Sequence, residues 1–233
     1  MLLAIRGPYC YSDSSAADFQ RLTQSQQFEL DALLATYQQL FKEPTTIPPK
    51  RRYDHNISLL NDKPFCLKPY RYPHAQKEEI ERQLKSLLST GFNRESASCY
   101  ASPLVLVKKK DGSWRCCTNL QKLNALTVKN KFPMPSIEDL LDELHGACYF
   151  SKLDLRSGCN QVRMVEKDIH KTTFRTHNSH YEWVVLPFGL TNAPATFQNL
   201  VNDIFKEYLR KFILVFFMIV WYIQKLGQST FNA

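Results

Sequence analysis

The sequence predicts an α+β fold, with helices packed on one side of a mainly antiparallel sheet. Helical and β-type periodicities both occur along the 233 residues, but they do not alternate regularly. A parallel sheet would need that regular alternation. The chain is 44% apolar, which suffices for one compact domain of two lobes or for two small domains.

Four segments have the apolar spacing of amphipathic helices. The first lies in residues 1–49, a polar and then Pro-rich stretch that we interpret as a helix on a linker. The second, residues 75–90, ends at Gly91. The third opens at Pro135 and Ser136 and ends at Gly146, and the fourth opens at Asn192. Their apolar faces are Leu30, Leu33, Leu34 and Tyr37; Ile80, Leu84, Leu87 and Leu88; Ile137, Leu140, Leu141 and Leu144; and Phe197, Leu200, Val201, Ile204 and Tyr208.

Strands are predicted between these helices. A turn through Asp111–Gly112 indicates a hairpin between the first two strands. The apolar run from Phe212 to Ile223 is shorter than the roughly 20 residues that a transmembrane helix needs, so we interpret it as one buried strand and predict no membrane segment. The other predicted strands are residues 102–108, 113–118, 148–154, 161–165, 172–176 and 181–186.

Positive charge is concentrated in one part of the chain. The net charge is +8, and residues 101–131 contain a single acid, Asp111. A basic surface of this kind favours a polyanionic partner, although a solvated hairpin tip is the alternative. The basic residues of this segment are Lys108, Lys109, Lys110, Arg115, Lys122, Lys129 and Lys131.

The cysteines argue against a secreted or zinc-binding protein. There are seven, Cys116 and Cys117 are adjacent, and no pair has the CxxC spacing. The N-terminal apolar run is too short for a signal peptide. We therefore expect an intracellular protein, in the cytoplasm or nucleus, in a reducing compartment.

Two stretches carry residues suited to chemistry. Asp154 ends a β-type run and is followed at once by Ser157–Gly158, which places its carboxylate where it could bind a metal ion; a turn aspartate bonded to its own backbone is the alternative. In the second stretch, Pro187, Phe188 and Gly189 connect a strand to a helix and would bring a bare backbone and an aromatic face to a planar ligand.

Four ordered motifs resemble the reverse transcriptase of gypsy-type LTR retrotransposons. They are Ser102–Arg115, FSKLDLRSG from Phe150, KTTFRTHNSHYEW from Lys171 and LPFGLTNAPATFQ from Leu186. The resemblance runs from about Lys50 to Phe217. It implies a right-hand polymerase with fingers at 50–130 and a palm with an antiparallel sheet at 131–223; the thumb is expected to be absent.

The resemblance also implies an activity and its site residues. RNA-directed DNA polymerases of this family add dNTPs to a primer on an RNA or DNA template, using Mg²⁺ or Mn²⁺. Asp154 matches the first metal-binding aspartate, and Leu155 would add its backbone carbonyl, a hard oxygen ligand. Lys109 and Arg115 match residues that hold the triphosphate. Phe188 and Gly189 match the loop beside the nascent base pair and template.

The sequence departs from the family at three places. Cys159 replaces an aromatic residue that crowds the sugar 2′ position. Asn119, Leu120 and Gln121 replace Asp-Tyr-Arg, which puts the template contacts of the fingers in doubt. Met218 and Ile219 replace two adjacent aspartates of the metal site, and neither a thioether nor an alkyl chain is a ligand for Mg²⁺.

A frameshift would explain the last departure. One G restored before Met218 lets the shifted frame read Asp-Asp-Ser-Leu-Val-Tyr-Ser-Lys-Thr-Trp, and the single codons of Met and Trp constrain that reading. Our hypothesis is a one-base deletion, which makes the final sixteen residues out-of-frame translation, with residues 224–233 as a tail beyond the palm. We therefore expect this copy to be inactive. The alternatives are a working polymerase, a dead remnant that at most binds nucleic acid, and an interaction module. The sequence does not indicate an oligomeric state.

Overall fold

The computed structural model describes residues 3–10, 24–42, 44–144, 147–155, 157–216 and 218–225. The chain divides into two compact units. The first unit comprises residues 1–43, 132–158 and 197–233, and the second comprises 44–131 and 159–196. Mixed helices and strands with a wholly antiparallel sheet in the first unit confirm the α+β prediction.

The elements follow one another along the chain without regular alternation. Short 3₁₀ segments lie at Gln38–Phe41, Gly158–Gln161 and Glu166–Thr172. The helices and strands are β1 (Leu3–Cys10), α1 (Gln24–Thr36), α2 (His74–Ser89), β2 (Asn93–Glu95), β3 (Ser102–Lys108), β4 (Trp114–Thr118), α3 (Gln121–Leu126), α4 (Ile137–Glu143), β5 (Ala147–Leu155), β6 (Phe174–Arg175), β7 (His180–Trp183), α5 (Ala193–Ile204), β8 (Ile213–Phe216) and β9 (Ile219–Lys225). Among the described residues no helix is both long enough and apolar enough to cross a membrane.

The first unit contains a four-stranded sheet in the order β1-β5-β9-β8. The prediction of one strand over residues 212–223 is wrong, because this run folds back on itself as the β8–β9 hairpin. Phe216 pairs with Ile219 next to the turn, and Val215 pairs with Val220. The turn allows both short strands to satisfy each other's backbone groups inside one sheet.

The strand β1 was not anticipated. Residues 3–10 pair antiparallel with β5, whereas the sequence favoured a linker before the first helix. That helix is present as α1, but two residues of its predicted apolar face are largely exposed, Leu33 at 56% and Tyr37 at 50%. Leu30 and Leu34 are half-buried, so the described part of the chain covers this face only in part.

The second unit contains a five-stranded mixed sheet in the order β2-β7-β6-β3-β4. Only β3 and β6 pair in parallel. The predicted hairpin between β3 and β4 is confirmed, and Gly112 adopts a left-handed φ of 83° in its turn. This conformation explains the choice of glycine there.

Helix α2 packs Ile80, Leu84 and Leu87 of its predicted stripe against the core of the second unit, whereas Leu88 is exposed. Its end is a Schellman-type cap, in which the amide of Phe92 donates to the carbonyl of Leu87 at 3.0 Å and Gly91 has a φ of 74°. The stop at Gly91 is therefore confirmed. The buried cluster comprises Ile80, Leu84, Phe92, Leu104, Phe174, Trp183 and Val185.

Three predicted elements differ from the structure. Residues 161–165 do not form a strand; Arg163 and Met164 make only isolated bridges, to Val185 and His55. The strand predicted at 172–176 shrinks to the two residues of β6. Helix α5 ends at Ile204, so Tyr208 lies beyond it. The third predicted helix is present as α4, while its expected end at Gly146 lies outside the described residues.

Candidate functional site

Asp154 lies near the end of β5, in the first unit, directly opposite Ile219 of β9. Residues facing each other across an antiparallel pair share one side of the sheet, with Cβ atoms about 5 Å apart. The neighbouring Leu155 points to the other side and is 3% exposed. On β9, the side chain that faces the Asp154 carboxylate is therefore the branched alkyl group of Ile219.

Met218 lies in the turn between β8 and β9, next to the same strand end. Its backbone carbonyl accepts a hydrogen bond of 2.9 Å from the amide of Leu155. The structure thus brings together all four residues that the sequence assigned to the metal site or to its lost positions: Asp154, Leu155, Met218 and Ile219.

These four residues do not fit a pair of divalent ions. Mg²⁺ and Mn²⁺ prefer carboxylate, carbonyl and water oxygens, and only Asp154 supplies a carboxylate here. Across the described ranges, no three His, Cys, Asp or Glu residues are grouped closely enough to hold a metal ion. Two residues along each strand, on the same side of the sheet, Lys152 faces Trp221 and its ammonium lies 5.8 Å from the Trp221 ring centroid, which places a cation on this part of the sheet.

The basic side chains of residues 101–131, in the second unit, face solvent. All seven Lys and Arg residues of this basic segment, from Lys108 to Lys131, are exposed. The single acid, Asp111, turns onto Ser113 and accepts its hydroxyl at 2.6 Å and its amide at 2.9 Å. These bonds, the hydroxyl bond foremost, lower the pKa of Asp111. The lysines at the hairpin tip, Lys109 among them, are left facing solvent.

Arg115 and Phe188 are brought together in the second unit. The Arg115 guanidinium lies 5.5 Å from the centroid of the Phe188 ring, within the range of a cation–π contact. Phe188 remains 38% exposed. The adjacent Gly189 has a φ of 94°, and a Cβ built there would meet no atom within 4 Å. The loop therefore presents an aromatic face and a bare, open stretch of backbone.

Cys159, expected beside the sugar of a nucleotide, is enclosed in the second unit. It is 1% exposed, and burial raises the pKa of its thiol to about 12. Asn119 and Leu120 take structural roles: the Asn119 side chain accepts the amide of Gln121 at 3.1 Å and donates to the Tyr70 hydroxyl at 3.2 Å, while Leu120 is buried.

Sequence reasoning missed two asparagines that hold the Phe188 loop. The Asn124 amide donates to the carbonyl of Gly189 at 2.7 Å and accepts the amide of Thr191 at 2.9 Å. Asn192 donates to the carbonyl of Val128 at 2.8 Å and accepts the amide of Asn130 at 2.9 Å. No spacing in the sequence indicates these pairs, which join positions more than 60 residues apart.

Comparisons with known proteins agree on one family. Residues 107–223, about half of the chain, match the family described as "Reverse transcriptase (RNA-dependent DNA polymerase)". The Pol polyprotein of transposon 297 from Drosophila melanogaster is 35% identical over 88% of the chain, and an RNA-directed DNA polymerase homolog from Oenothera berteroana is 49% identical over 45% of it. The chain spans 73% of the Oenothera protein but only 20% of the transposon 297 polyprotein.

Solved structures show the same fold. The prototype foamy virus protease-reverse transcriptase superposes with a TM-score of 0.77 at 24% identity, covering 88% of this chain and 28% of the viral one. A foamy viral protease-reverse transcriptase in complex with RNA/DNA hybrid gives a TM-score of 0.75 at 21% identity, covering 89% of this chain and 28% of the other.

Proposed function

The chain belongs to the reverse transcriptase family, and from that premise we propose that it binds a primer–template without adding nucleotides to it. The predicted fold class and the resemblance to gypsy-type Pol proteins are confirmed. Primer–template binding and nucleotide addition are considered separately, because the residues suited to binding and those suited to chemistry belong to different units.

The pairing of Asp154 with Ile219 carries the proposal of inactivity. Two-metal nucleotidyl transfer needs carboxylates that hold both ions between the attacking and leaving oxygens. Here the position opposite Asp154 is an alkyl chain, and the turn residue Met218 offers a thioether. A single carboxylate beside these groups lacks the charge and the oxygen ligands for two hard cations.

The second unit supports the proposal of binding. The seven exposed Lys and Arg residues of its basic segment, residues 101–131, suit phosphate contacts, and Phe188 beside Arg115 offers an aromatic face to a base. A related foamy viral enzyme was solved with an RNA/DNA hybrid, and others with double-stranded DNA. We extend this ligand class to the present chain, and we assign residues 50–130 to fingers and 131–223 to palm, with the ends of the chain as flanking segments.

The finer expectations belong to the same proposal. Lys109 and Arg115 would contact the phosphates of an incoming dNTP, and Mg²⁺ or Mn²⁺ would serve relatives that keep their carboxylates. An intracellular, reducing location agrees with the free thiols found in the described part of the chain, at Cys66, Cys99, Cys116, Cys117 and Cys159.

Binding can be tested by fluorescence anisotropy with a labelled RNA/DNA primer–template at several salt concentrations. Each phosphate contact contributes close to one unit of slope in log K against log salt, about 0.9 for duplex DNA. We expect a steep loss of affinity with salt. A flat response, or no binding at low salt, would contradict the proposal and favour an interaction module without a nucleic-acid role.

A charge-matched pair of variants sharpens this test. Replacing Lys108 and Lys110 of the β3–β4 hairpin by Gln is expected to reduce the salt slope by about 2. The control replaces Lys85 of α2 and Lys206 by Gln, since both are exposed but lie outside the basic segment. Equal loss in the two variants would mean that net charge, and not the basic segment, governs binding.

A further inference from the structure

Two segments of the second unit are joined by reciprocal side-chain amides. Asn124, on α3, bonds the backbone of the Phe188 loop at Gly189 and Thr191. In the opposite direction, Asn192 at the end of that loop bonds the backbone of residues 128 and 130, just beyond α3. Each asparagine uses one donor and one acceptor, which only an amide side chain offers in this geometry.

These bonds substitute for secondary structure. The loop between β7 and α5 has no strand partner at residues 187–192, and the Asn124 side chain satisfies two of its backbone groups. Gly189 has a left-handed φ of 94°. Glycine can also adopt many other backbone conformations at little cost, so the residue itself does not fix the loop. Pro187 and Leu190 on either side are buried, but among the described residues the hydrogen bonds to the Gly189 carbonyl and the Thr191 amide come from Asn124.

The same bonds connect Arg115 to Phe188. Arg115 lies on β4, and β4 leads after two residues into α3, which carries Asn124. Phe188 lies on the loop that Asn124 holds. The cation–π contact of 5.5 Å between the Arg115 guanidinium and the Phe188 ring therefore spans two segments that the Asn124 side chain joins directly.

We infer that Asn124 is a positioning residue, which keeps Phe188 beside Arg115 as a preformed platform for the nucleic acid. Asn192 joins the same two segments through its bonds to the backbone of Val128 and Asn130. The inference rests on the proposed function for its ligand, but the positioning itself is a property of the free protein. A platform held in place before binding avoids the entropic cost of ordering the loop when the ligand arrives.

The positioning is tested first without ligand, by NMR. The ring current of Phe188 shifts the Arg115 side-chain resonances, and Phe188→Leu gives their value without the ring. We expect Asn124→Ala to move these resonances most of the way to that value and to speed amide exchange at Thr191. Asn178→Ala, which removes an amide bonded to Glu81 in the same unit, should leave both unchanged. Unchanged Arg115 resonances in Asn124→Ala would overturn the inference.

A second variant covers the case in which Asn124→Ala does not fold. Asn124→Asp has the same shape and still accepts the Thr191 amide, but its carboxylate cannot donate to the carbonyl of Gly189 and repels it. We expect an intermediate displacement of the Arg115 resonances. Resonances identical to those of the wild type would contradict the positioning role.

Binding of the RNA/DNA primer–template then tests the consequence. Loss of an aromatic stacking partner weakens single-strand binding by about fivefold or more, so we expect at least about a fivefold rise in Kd for Phe188→Ala and a similar rise for Asn124→Ala. The double variant should be no weaker than Phe188→Ala alone, because both changes remove the same platform. Additive losses would show that Asn124 acts elsewhere. If the wild type itself does not bind, the proposed function fails, while the NMR result still decides the positioning.

Discussion

Asp154 and Ile219 face each other across β5 and β9, on the same side of the sheet and beside the turn that carries Met218. The backbone around them is well formed: the amide of Leu155 donates to the carbonyl of Met218 at 2.9 Å. The proposed departure from the family, with Met218 and Ile219 in place of two aspartates, thus concerns side chains on a hairpin whose backbone is intact.

Restoring the two carboxylates should create a divalent-ion site. In Met218→Asp/Ile219→Asp, two carboxylates would lie beside Asp154 on a backbone that already has the hairpin. We expect Mn²⁺ to bind at least about tenfold more tightly than to the wild type, or about 1.4 kcal/mol, as measured by the EPR signal of free Mn²⁺. Adding Asp154→Asn to the double variant should remove most of this gain. Equal binding by the wild type would mean that other residues hold the ion.

The thiols should differ sharply in reactivity. Alkylation proceeds through the thiolate, and burial raises the pKa of Cys159 to about 12, whereas Cys66 and Cys99 are exposed. With iodoacetamide at pH 8, we expect the two exposed thiols to react about 100-fold faster than Cys159 in the native protein. Peptide mass spectrometry gives each rate. Rapid labelling of Cys159 would place it on an accessible surface, as the family resemblance implied.

Stability should fall on mild acidification because of His55. This side chain is 2% exposed and its Nδ1 lies 2.8 Å from the Thr196 hydroxyl. Burial lowers its pKa from 6.5 to about 4, despite the opposing charge of Asp168. Between these values the unfolded chain binds a proton that the folded chain does not, so stability is complete above pH 6.5 and is lost progressively toward pH 4.

The expected size of this effect is about 2 kcal/mol between pH 7.5 and pH 5, because one imidazole has a pKa of 6.5 in the unfolded chain and about 4 in the folded chain. Urea unfolding at the two pH values measures it. His55→Gln, although less stable overall, should lose much less stability over the same interval. A pH dependence equal to that of the wild type in this variant would assign the effect to other groups.

Strong local signals in the sequence were enough to predict individual helices and hairpins. The stripe of Ile80 and Leu84 with Gly91 behind it predicted α2, and Asp111–Gly112 predicted the hairpin, because each depends on neighbours within a few residues. The ordered motifs likewise indicated which residues would meet around Asp154.

Features that depend on distant partners were not predicted. The turn after Phe216 contains none of the Gly, Pro, Asn or Asp residues that mark turns, so an unbroken apolar run resembled a single strand. The strand β1 is defined by its pairing with β5, about 150 residues away. Asn124 belongs to the same class, since its role exists only once the Phe188 loop has folded against α3.

Nucleotide incorporation, measured with homopolymer-primed templates in Mg²⁺ or Mn²⁺, tests the central claim most directly. The protein used should be the sample that binds the primer–template, with Asp154→Asn as the reference. If Ile219 and Met218 have removed the metal site, the wild type will bind the primer–template with a steep salt dependence and incorporate no more dNTP than Asp154→Asn. Incorporation above that reference would contradict the account, because it would show that Asp154 still works in a functioning polymerase site.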